Sequence, residues 1–468
     1  MSRLIVVSNR TPGKTVAAGG LAVALRKTLS EREGFWFGWS GKLTDSPSVQ
    51  ARFEDVEGLS VATIDLTRDD HQAYYAGFSN SILWPSFHLR LDLAHIDSTW
   101  YEGYRRVNQQ FAQALLPLLK PDDVIWVHDY HLIPLASELR SLGATNRMGF
   151  YLHIPFPTAD ALYAIPHHLD LMRDVSRYDL VGMQANRDVA AFTEAVENMT
   201  HTNLAGDPLQ LFDFARTEVA AFPIGSDPGA FSRMSVSSAA SKMVKRMERV
   251  LAGQQLILGV DRLDYSKGLP QRVEAYEKLL ENNNDLRRRV HMLQIAPPSR
   301  DTIKEYQETS DALDAICGRV MGRFADPDWA PITYVKRAYG QATLAGFYRM
   351  ARVGLVTPLR DGMNLVAHEF ISSQNPADPG VLVLSRFAGA AEIFEDAILV
   401  NPFDTDETAA ALRLALVMPL EERKARWRTL MAAAEKHNVD DWSKGFLHRL
   451  SPVVASPSQP ARDIIYLG

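Results

Sequence analysis

The chain has 468 residues, 46% of them hydrophobic and 23% charged, which is an ordinary composition for a soluble globular protein. A formal net charge of -6 argues against nucleic-acid binding, because proteins that follow a phosphate backbone carry a clustered basic excess. The single cysteine, Cys317, excludes an internal disulfide, fits a reducing compartment and is expected to be a small apolar filler. Since no apolar run could cross a bilayer and the first one lacks a signal-peptide cleavage site, we expect a cytoplasmic protein without a membrane partner.

Short apolar runs alternate with helical patterns along the chain, which is the signature of β-α-β units. Runs that are apolar on both faces belong in parallel sheets covered by helices, and such sheets bind ligands beyond the carboxyl ends of their strands. The strands predicted in this way are, in chain order, 4–7, 124–127, 148–152, 180–183, 256–260, 290–295, 353–356, 381–384 and 397–400.

The chain is too long for one ordinary core, so we expect two large α/β domains. Two prolines and a glycine at 223–228 follow an apolar run and predict the boundary. The expected division is an N-terminal domain at 1–227, a second domain at 228–438, a helix at 439–450 and a loose tail at 451–468.

Arg10 stands at the end of the first predicted strand, and two glycines, Gly19 and Gly20, precede a helical stretch at 21–29. Glycines before a helix let a ligand approach the backbone amides, and the positive end of the helix attracts a phosphate. An ordinary tight connection would explain the glycines equally well.

Histidines and an aspartate follow two of the predicted strands. His128 and His131 are three residues apart and could share one side of a helix and hold a metal, but no third ligand accompanies them. Asp129, at a strand end, suits the hydroxyls of a substrate. His153 could donate a hydrogen bond to a ligand, or it could simply cap its strand.

Arg262 and Lys267 lie in a turn between the strand at 256–260 and a helix that Pro270 can start. Arg can bond two phosphate oxygens at once and Lys adds a compact charge, so the pair suits a diphosphate beside a helix N-terminus. Two surface cations in a turn would be the alternative.

The segment 357–369 follows another predicted strand and runs into a helix. The amides of Asn364, Leu365 and Val366 would lie at that helix N-terminus, and Glu369, one turn further, could accept the two hydroxyls of a ribose. A glutamate there could also serve only as a partner of the helix dipole.

Other local patterns have simpler explanations. Asp404 and Asp406 have the D-x-D form of some metal-binding sugar-nucleotide enzymes, but they precede an alanine-rich helix and are predicted to cap it. Dinucleotide-binding glycine motifs, phosphate-binding loops and nucleophile elbows are absent from the sequence. An aromatic region could face a sugar or pack beneath a loop, and it comprises Tyr75, Phe78, Trp84 and Phe87 with Arg90.

Taken together, these residues resemble the trehalose-6-phosphate synthase family of retaining glucosyltransferases. The resemblance runs from Arg3 to about Leu450 and implies an α/β chain of the GT-B fold, with two Rossmann-like parallel-sheet domains facing a central cleft. Its most specific segments are Phe35-Trp-Phe-Gly-Trp-Ser-Gly41, His128-Asp-Tyr-His131, His153-Ile-Pro-Phe-Pro157, Arg262-Leu-Asp-Tyr-Ser-Lys-Gly268 and Asp361-Gly-Met-Asn-Leu-Val366.

The resemblance also implies roles for single residues. The positions that match contacts to glucose 6-phosphate are Arg10, Tyr75, Trp84, Asp129 and Arg300, and Arg10 and Arg300 would grip its phosphate. The positions that match contacts to the nucleotide-sugar donor are Gly20, Arg262, Lys267, Tyr339, Asp361, Asn364, Leu365, Val366 and Glu369. The loop 11–18 is shorter than in relatives, and His153 would face the transferred glucose.

The implied reaction moves glucose from a nucleotide-diphosphate glucose to the anomeric hydroxyl of glucose 6-phosphate, with retention. His153, Arg262, Lys267 and Asp361 would be its catalytic residues, without metal or cofactor, and the partners would be small molecules and further copies of the chain in a dimer or tetramer. No carboxylate suits a covalent nucleophile, so double displacement is not supported. The alternatives are a sibling enzyme acting on glycerol 3-phosphate and a non-catalytic sugar-phosphate sensor.

Overall fold

In the computed structural model, residues 2–12, 20–201, 217–300 and 303–451 are described. Most of the short loop at 11–18 and of the predicted tail therefore lies outside the described residues. The chain divides into two compact units, one formed by residues up to Pro223 together with those from Asp440 onward, and one formed by Ile224–Val439.

The first unit is built on an eight-stranded sheet in the order β3-β4-β2-β1-β5-β6-β7-β8. All neighbouring strands are parallel except β3 and β4, which form an antiparallel pair at one edge. Two of the inner strands, β5 and β7, are buried along their whole length, as a sheet covered on both faces requires. The strands are β1 (Leu4–Arg10), β2 (Gly34–Thr44), β3 (Arg52–Val56), β4 (Leu59–Thr67), β5 (Val124–His128), β6 (Arg147–Tyr151), β7 (Leu180–Met183) and β8 (Glu218–Ala221).

Helices connect these strands, and one long π-helical segment, His71–Leu83, carries part of the aromatic region. Short 3-10 turns include Tyr130–Leu132, directly after Asp129. The α-helices of this part of the chain are α1 (Gly20–Ser30), α2 (Arg68–Asp70), α3 (Trp84–Phe87), α4 (Ser98–Leu115), α5 (Leu135–Ser141), α6 (Ala159–Tyr163), α7 (His168–Val175) and α8 (Asn186–His201).

The second unit is a six-stranded, all-parallel sheet in the order β11-β10-β9-β12-β13-β14. In its core, the apolar strands pack against the inward faces of the helices, and Ile257, Tyr276 and Leu412 are among the fully buried residues. The strands are β9 (Gln255–Val260), β10 (Val290–Ile295), β11 (Ile332–Val335), β12 (Val353–Val356), β13 (Val381–Ser385) and β14 (Ile398–Val400).

Several helices of the second unit begin at the caps that the sequence indicates. Pro270 lies in the first turn of its helix, and Asp404 accepts from the amides of Asp406 and Glu407 at 3.1 and 2.9 Å, which confirms its predicted role as a cap. The helices are α9 (Pro228–Ser235), α10 (Ser238–Leu251), α11 (Leu269–Asn282), α12 (Lys304–Phe324), α13 (Gln341–Met350), α14 (Leu365–Ser373), α15 (Thr405–Val417) and α16 (Leu420–Lys436).

The last described helix, α17 (Val439–Leu450), packs against the sheet of the first unit. The ring of Phe446 stacks on Trp126 of β5 at 4.8 Å. Gly149 and Gly182 make room for that ring, because a Cβ at either position would lie 2.7 Å from Phe446. A bulkier residue on these strands would therefore displace the helix.

The predicted α/β class with two parallel-sheet units is confirmed. Each predicted strand is present, to within one residue at either end except for β1, which extends three residues beyond its predicted end. The prediction missed the edge strands β3, β8 and β11, and also β2 and β4, which lie between β3 and β1. In β3 and β11, exposed or half-buried residues break the continuous apolar run that was used to recognise buried strands. In β2 the residues at 35–39 are buried, and the prediction overlooked that run.

Candidate active site

In the first unit, the predicted residues gather at the carboxyl ends of three adjacent strands. Arg10 ends β1, Asp129 follows β5 and His153 follows β6. Asp129 has a positive φ of 76°, and its carboxylate accepts from the amide of His153 at 3.3 Å. The strand order therefore brings together three positions that are distant in sequence.

His153 is held by hydrogen bonds on both sides of its ring. Its Nε2 lies 3.0 Å from Nδ1 of His128, and its Nδ1 lies 3.4 Å from the amide nitrogen of Gln184. Because an amide nitrogen can only donate, Nδ1 of His153 is the acceptor and the ring proton belongs on Nε2. The amide oxygen of Gln184 lies 3.0 Å from the hydroxyl of Tyr151, which also contacts the carbonyl of Phe222.

Burial keeps both histidines neutral. It lowers the pKa of His153 to about 3, and burial together with His153 lowers the pKa of His128 well below its usual range. A neutral imidazole can orient a ligand by hydrogen bonding, but it is a poor proton donor near pH 7.

A row of stacked rings runs beside these strand ends. Tyr75 lies between His71 and His131, with ring centroids 5.2 and 5.8 Å away and interplanar angles of 28° and 11°. Trp39 continues the row at 5.1 Å from His71, and the guanidinium of Arg10 lies 5.7 Å from the Trp39 ring. Tyr75 is only partly buried and leaves part of its surface for a ligand.

Trp84 is buried and belongs to the core beneath this row. Its ring lies 4.3 Å from His88 and 5.8 Å from Tyr130, whose hydroxyl donates to Asn80 at 2.8 Å. Phe78 and Phe87 are likewise buried. The aromatic region is therefore largely core, with Tyr75 as its partly exposed member.

Arg10 passes close over the backbone of Gly41, which has a φ of 86°. A Cβ at Gly41 would lie 2.7 Å from a guanidinium nitrogen of Arg10. Glycine is therefore favoured at position 41 for two reasons: it adopts the left-handed backbone conformation, and it leaves room for the guanidinium of Arg10.

In the second unit, the turn after β9 positions the two predicted cationic residues, Arg262 and Lys267. Asp264 caps the short 3-10 turn Tyr265–Lys267 by accepting from the amide of Ser266 at 3.0 Å. Arg262 is half-exposed, and its guanidinium lies 3.7 Å from the Asp264 carboxylate. Lys267 is mostly buried and forms an ion pair with Asp361, so two of the predicted catalytic residues are in direct contact.

A buried network beneath this turn was not predicted from the sequence. Arg272 is fully buried and binds the carboxylate of Asp261 at 2.7 Å and the hydroxyl of Thr357 at 3.1 Å. The other oxygen of Asp261 accepts from the amide of Asn364 at 3.3 Å. The network thus ties the turn after β9 to the loop after β12.

The loop after β12 ends in the helix N-terminus that the sequence indicates. Asn364 has a φ of 73° and caps α14 by accepting from the amide of Val366 at 3.2 Å, while Leu365 begins the helix. Glu369 is partly buried and accepts from the hydroxyl of Tyr348 at 3.0 Å. Burial raises the pKa of Glu369 to about 7 despite this hydrogen bond.

Three further predicted residues lie on other segments of the chain. Arg300 belongs to the second unit, unlike the other four predicted acceptor residues, and its buried side chain lies 3.7 Å from Asp264. Tyr339 packs edge-on against Phe347 at 5.5 Å and beneath Arg337, neither of which belongs to the predicted donor set. Gly20 begins α1.

The idea that His128 and His131 share one side of a helix is wrong. His128 ends a strand and faces His153, whereas His131 lies in the following 3-10 turn and stacks on Tyr75. Within the described residues, no three His, Cys, Asp or Glu side chains group as metal ligands do.

Some site residues that the prediction missed carried a usable signal. Gln184 and Asp261 directly follow the predicted strands β7 and β9, so the rule that selected Asp129 would also have selected them. Arg272 and Tyr348 lie inside helices, where nothing in the sequence distinguishes them from surface residues.

The chain belongs to glycosyltransferase family 20, which matches residues 7–452. Among curated relatives, trehalose-6-phosphate synthase of Sinorhizobium fredii (strain NBRC 101917 / NGR234) is 47% identical over 459 residues, which cover 96% of this chain and 98% of the relative. The corresponding enzyme of Sodalis glossinidius (strain morsitans) is 43% identical over 457 residues, covering 97% of each chain. The family expected from the sequence motifs is therefore confirmed.

Solved structures agree with this assignment and with the GT-B fold. The alpha,alpha-trehalose-phosphate synthase (UDP-forming) from Burkholderia xenovorans, in complex with glucose-6-phosphate, aligns with a TM-score of 0.90 at 46% identity, covering 96% of this chain and all of that one. An E. coli structure bound with UDP-2-fluoro glucose aligns with a TM-score of 0.89 at 41% identity, covering 97% and 100%. Among the helices described here, none is long and apolar enough to span a membrane.

Proposed function

We propose that the chain transfers glucose from UDP-glucose to glucose 6-phosphate and forms α,α-trehalose 6-phosphate and UDP. The observation that carries the proposal is the contact of Lys267 with Asp361 at the carboxyl ends of two adjacent strands, beside the N-terminus of α14. Family membership and near full-length similarity to trehalose-6-phosphate synthases support it.

The donor is assigned to the second unit. Its diphosphate would bind Arg262, Lys267 and the amides of Leu365 and Val366, where the helix dipole favours negative charge, and the Val366 amide would exchange its hydrogen bond to Asn364 for one to the phosphate. The two cations stabilise the charge that grows on the departing phosphate, so their contribution is larger in the transition state than in the ground state.

Two carboxylates would hold the sugars of the donor. Asp361, which neutralises Lys267 in the structure, would exchange part of that ion pair for hydroxyls of the transferred glucose. Glu369 would accept the two ribose hydroxyls, with Tyr348 holding its carboxylate in place. Asn364 donates a hydrogen bond to Asp261, and this contact would orient the N-terminus of the helix toward the phosphates.

The acceptor is assigned to residues of the first unit together with Arg300 of the second. Arg10 and Arg300 would bind the phosphate of glucose 6-phosphate, since guanidinium groups match its oxygens in pairs. Tyr75 would offer its partly exposed ring, Asp129 would accept a sugar hydroxyl, and the buried Trp84 would support that wall.

His153 would orient the transferred glucose without protonating it, because burial holds the ring neutral. A sugar hydroxyl would replace the longer of its two contacts, the one to Gln184. The proton of the attacking anomeric hydroxyl would pass to the departing phosphate on the same face of the donor, which retains the configuration.

The test is release of nucleoside diphosphate from UDP-, GDP- and ADP-glucose, with glucose 6-phosphate or glycerol 3-phosphate as acceptor. The proposal predicts rapid release only for UDP-glucose with glucose 6-phosphate. Release with glycerol 3-phosphate instead would indicate a sibling transferase, and binding of glucose 6-phosphate without turnover would indicate a sensor.

We also propose that the protein is cytoplasmic and forms a dimer or tetramer. The buried position of its single cysteine suits a reducing compartment, and both substrates are phosphorylated metabolites of the cell interior. Sedimentation of the purified chain measures the oligomeric state directly, and a single monomeric species would contradict that part of the proposal.

A further inference from the structure

Two of the arginines assigned to phosphate groups lie on neighbouring segments of the second unit. Arg262 is in the turn after β9 and Arg300 is in the segment after β10, and these two strands are adjacent in the sheet. The backbone joins the segments, because the amide of Leu263 donates to the carbonyl of Pro297 at 2.9 Å. Nη1 of Arg262 also lies 3.5 Å from the hydroxyl of Ser299, the residue before Arg300. The two arginines therefore belong to one local structure.

One carboxylate oxygen of Asp264 approaches both arginines. Its Oδ2 lies 3.7 Å from a guanidinium nitrogen of Arg262 and 3.7 Å from one of Arg300. The side chain of Asp264 is fully buried, and a buried carboxylate is destabilising unless it is paired and hydrogen-bonded. The pairing stabilises Asp264 and at the same time draws both guanidinium groups toward one point.

Asp264 also caps the 3-10 turn Tyr265–Lys267, and this role uses its other oxygen. Oδ1 accepts from the amide and the hydroxyl of Ser266 at 3.0 and 2.9 Å. The carbonyl of Asp264 accepts from the amide of Lys267 at 3.0 Å. A cap needs one side-chain oxygen and no charge, since asparagine and serine cap as well as aspartate does. The cap therefore explains Oδ1 and leaves the position of Oδ2 near two arginines unexplained.

Tyr306, on α12, distinguishes the two arginines. Its hydroxyl donates to Oδ2 of Asp264 at 3.4 Å and accepts a hydrogen bond from Arg300. Burial and the nearby carboxylate raise the pKa of this hydroxyl, so it keeps its proton and remains a donor. The side chain of Arg300 is 8% exposed, whereas that of Arg262 is 49% exposed. Loss of the tyrosine hydroxyl should therefore affect Arg300 and spare Arg262.

A carboxylate beside two phosphate-binding groups opposes anion binding unless it has another use, because it adds negative charge where the ligands bring theirs. We propose that Asp264 is a positioning residue that orients Arg262 toward the donor diphosphate and Arg300 toward the acceptor phosphate. This role rests on the proposed function, which assigns the two arginines to the two substrates. The two phosphate sites then share one support, and the loss of its charge weakens both.

Titration calorimetry of the full chain with UDP and, separately, with glucose 6-phosphate tests this role without turnover. Asp264→Asn keeps an oxygen for the cap and removes the charge. We expect it to weaken the binding of both ligands about tenfold or more, as the loss of contacts between charged groups does. Tyr306→Phe should weaken glucose 6-phosphate about three- to tenfold and leave the UDP affinity within about twofold of the parent.

Ser266→Ala is the matched control, since it removes a hydrogen bond to Oδ1 of the same carboxylate and leaves Oδ2 in place. Both affinities should stay within about twofold of the parent. A variant that is only less stable would bind with lower stoichiometry at unchanged affinity, so the affinities separate positioning from a structural role. In steady-state assays, Asp264→Asn should raise KM for both substrates, and Tyr306→Phe should raise KM for glucose 6-phosphate alone.

Unchanged affinity for either ligand in Asp264→Asn, or equal weakening of both ligands by Tyr306→Phe, would overturn the shared positioning role. If Asp264→Asn does not fold, an unchanged affinity of Tyr306→Phe for glucose 6-phosphate is sufficient to overturn it. Arg262→Ala and Arg300→Ala test the substrate assignment in the same titrations, because they should weaken UDP and glucose 6-phosphate respectively. Weakening by these two variants without an effect of Asp264→Asn would refute only the positioning role, whereas no effect of either arginine variant would refute the assignment itself.

Discussion

Replacing Lys267 with alanine is the sharpest test of how the leaving diphosphate is stabilised. The ammonium is mostly buried, with 12% of the side chain exposed, and it is paired with Asp361, which is itself 13% exposed. A hydrogen bond between charged groups in such a setting is worth about 1.5–3 kcal/mol. At about 1.4 kcal/mol per tenfold change, its loss should lower kcat by roughly ten- to a hundredfold.

The fall should exceed this range if Asp361, left without its cation, repels the diphosphate. The assay is steady-state UDP release at saturating UDP-glucose and glucose 6-phosphate, with Lys278→Ala as control because that lysine is more exposed and pairs with Asp406 elsewhere in the unit. A kcat within twofold of the parent, with folding intact, would refute the role of Lys267.

Three further changes test the supporting structure. Arg272→Met leaves the carboxylate of Asp261 buried without its partner and should lower the free energy of unfolding by about 3–5 kcal/mol in urea titrations. Gly41→Ala pushes a methyl group against Arg10 and should raise KM for glucose 6-phosphate several-fold while leaving the donor KM unchanged. Because Glu369 has a pKa raised to about 7 and accepts best when ionised, KM for UDP-glucose should rise as pH falls through 7, and Glu369→Gln should remove that dependence.

Each of these changes has a matched control. Arg413→Met removes an exposed ion pair and should cost under about 1 kcal/mol, so an equal loss in both arginine variants would contradict the burial argument. Gly58 has a φ of 81° with no atom within 4 Å of an added Cβ, so Gly58→Ala carries the backbone strain without the clash. A donor KM that stays flat between about pH 6 and 8 in the parent would refute the assignment of Glu369.

The sequence predicted strands such as β5 and β12 because their apolar runs are continuous. It could not place the edge strand β3 by the same rule, since β3 is exposed for four of its five residues. What positions β3 is its antiparallel pairing with β4, which is a tertiary contact and leaves no run to recognise.

Site residues could be predicted where they directly follow a strand. Residues that lie inside helices and hold the site residues in place could not be predicted. Asp129 and His153 could be selected from their positions alone, but the tautomer of His153 depends on Gln184 and Tyr151, which approach it only in the fold. Likewise, the buried contact of Arg272 with Asp261 joins two positions whose pairing no local pattern indicates.

The linkage of the sugar product tests the central claim most directly. UDP-glucose labelled with carbon-13 at its anomeric position would be incubated with glucose 6-phosphate and followed by NMR. The account predicts a labelled α-anomeric carbon that is linked through a glycosidic oxygen to the anomeric carbon of glucose 6-phosphate. Labelled free glucose alone, a β-linked product or attachment at any other hydroxyl would contradict it.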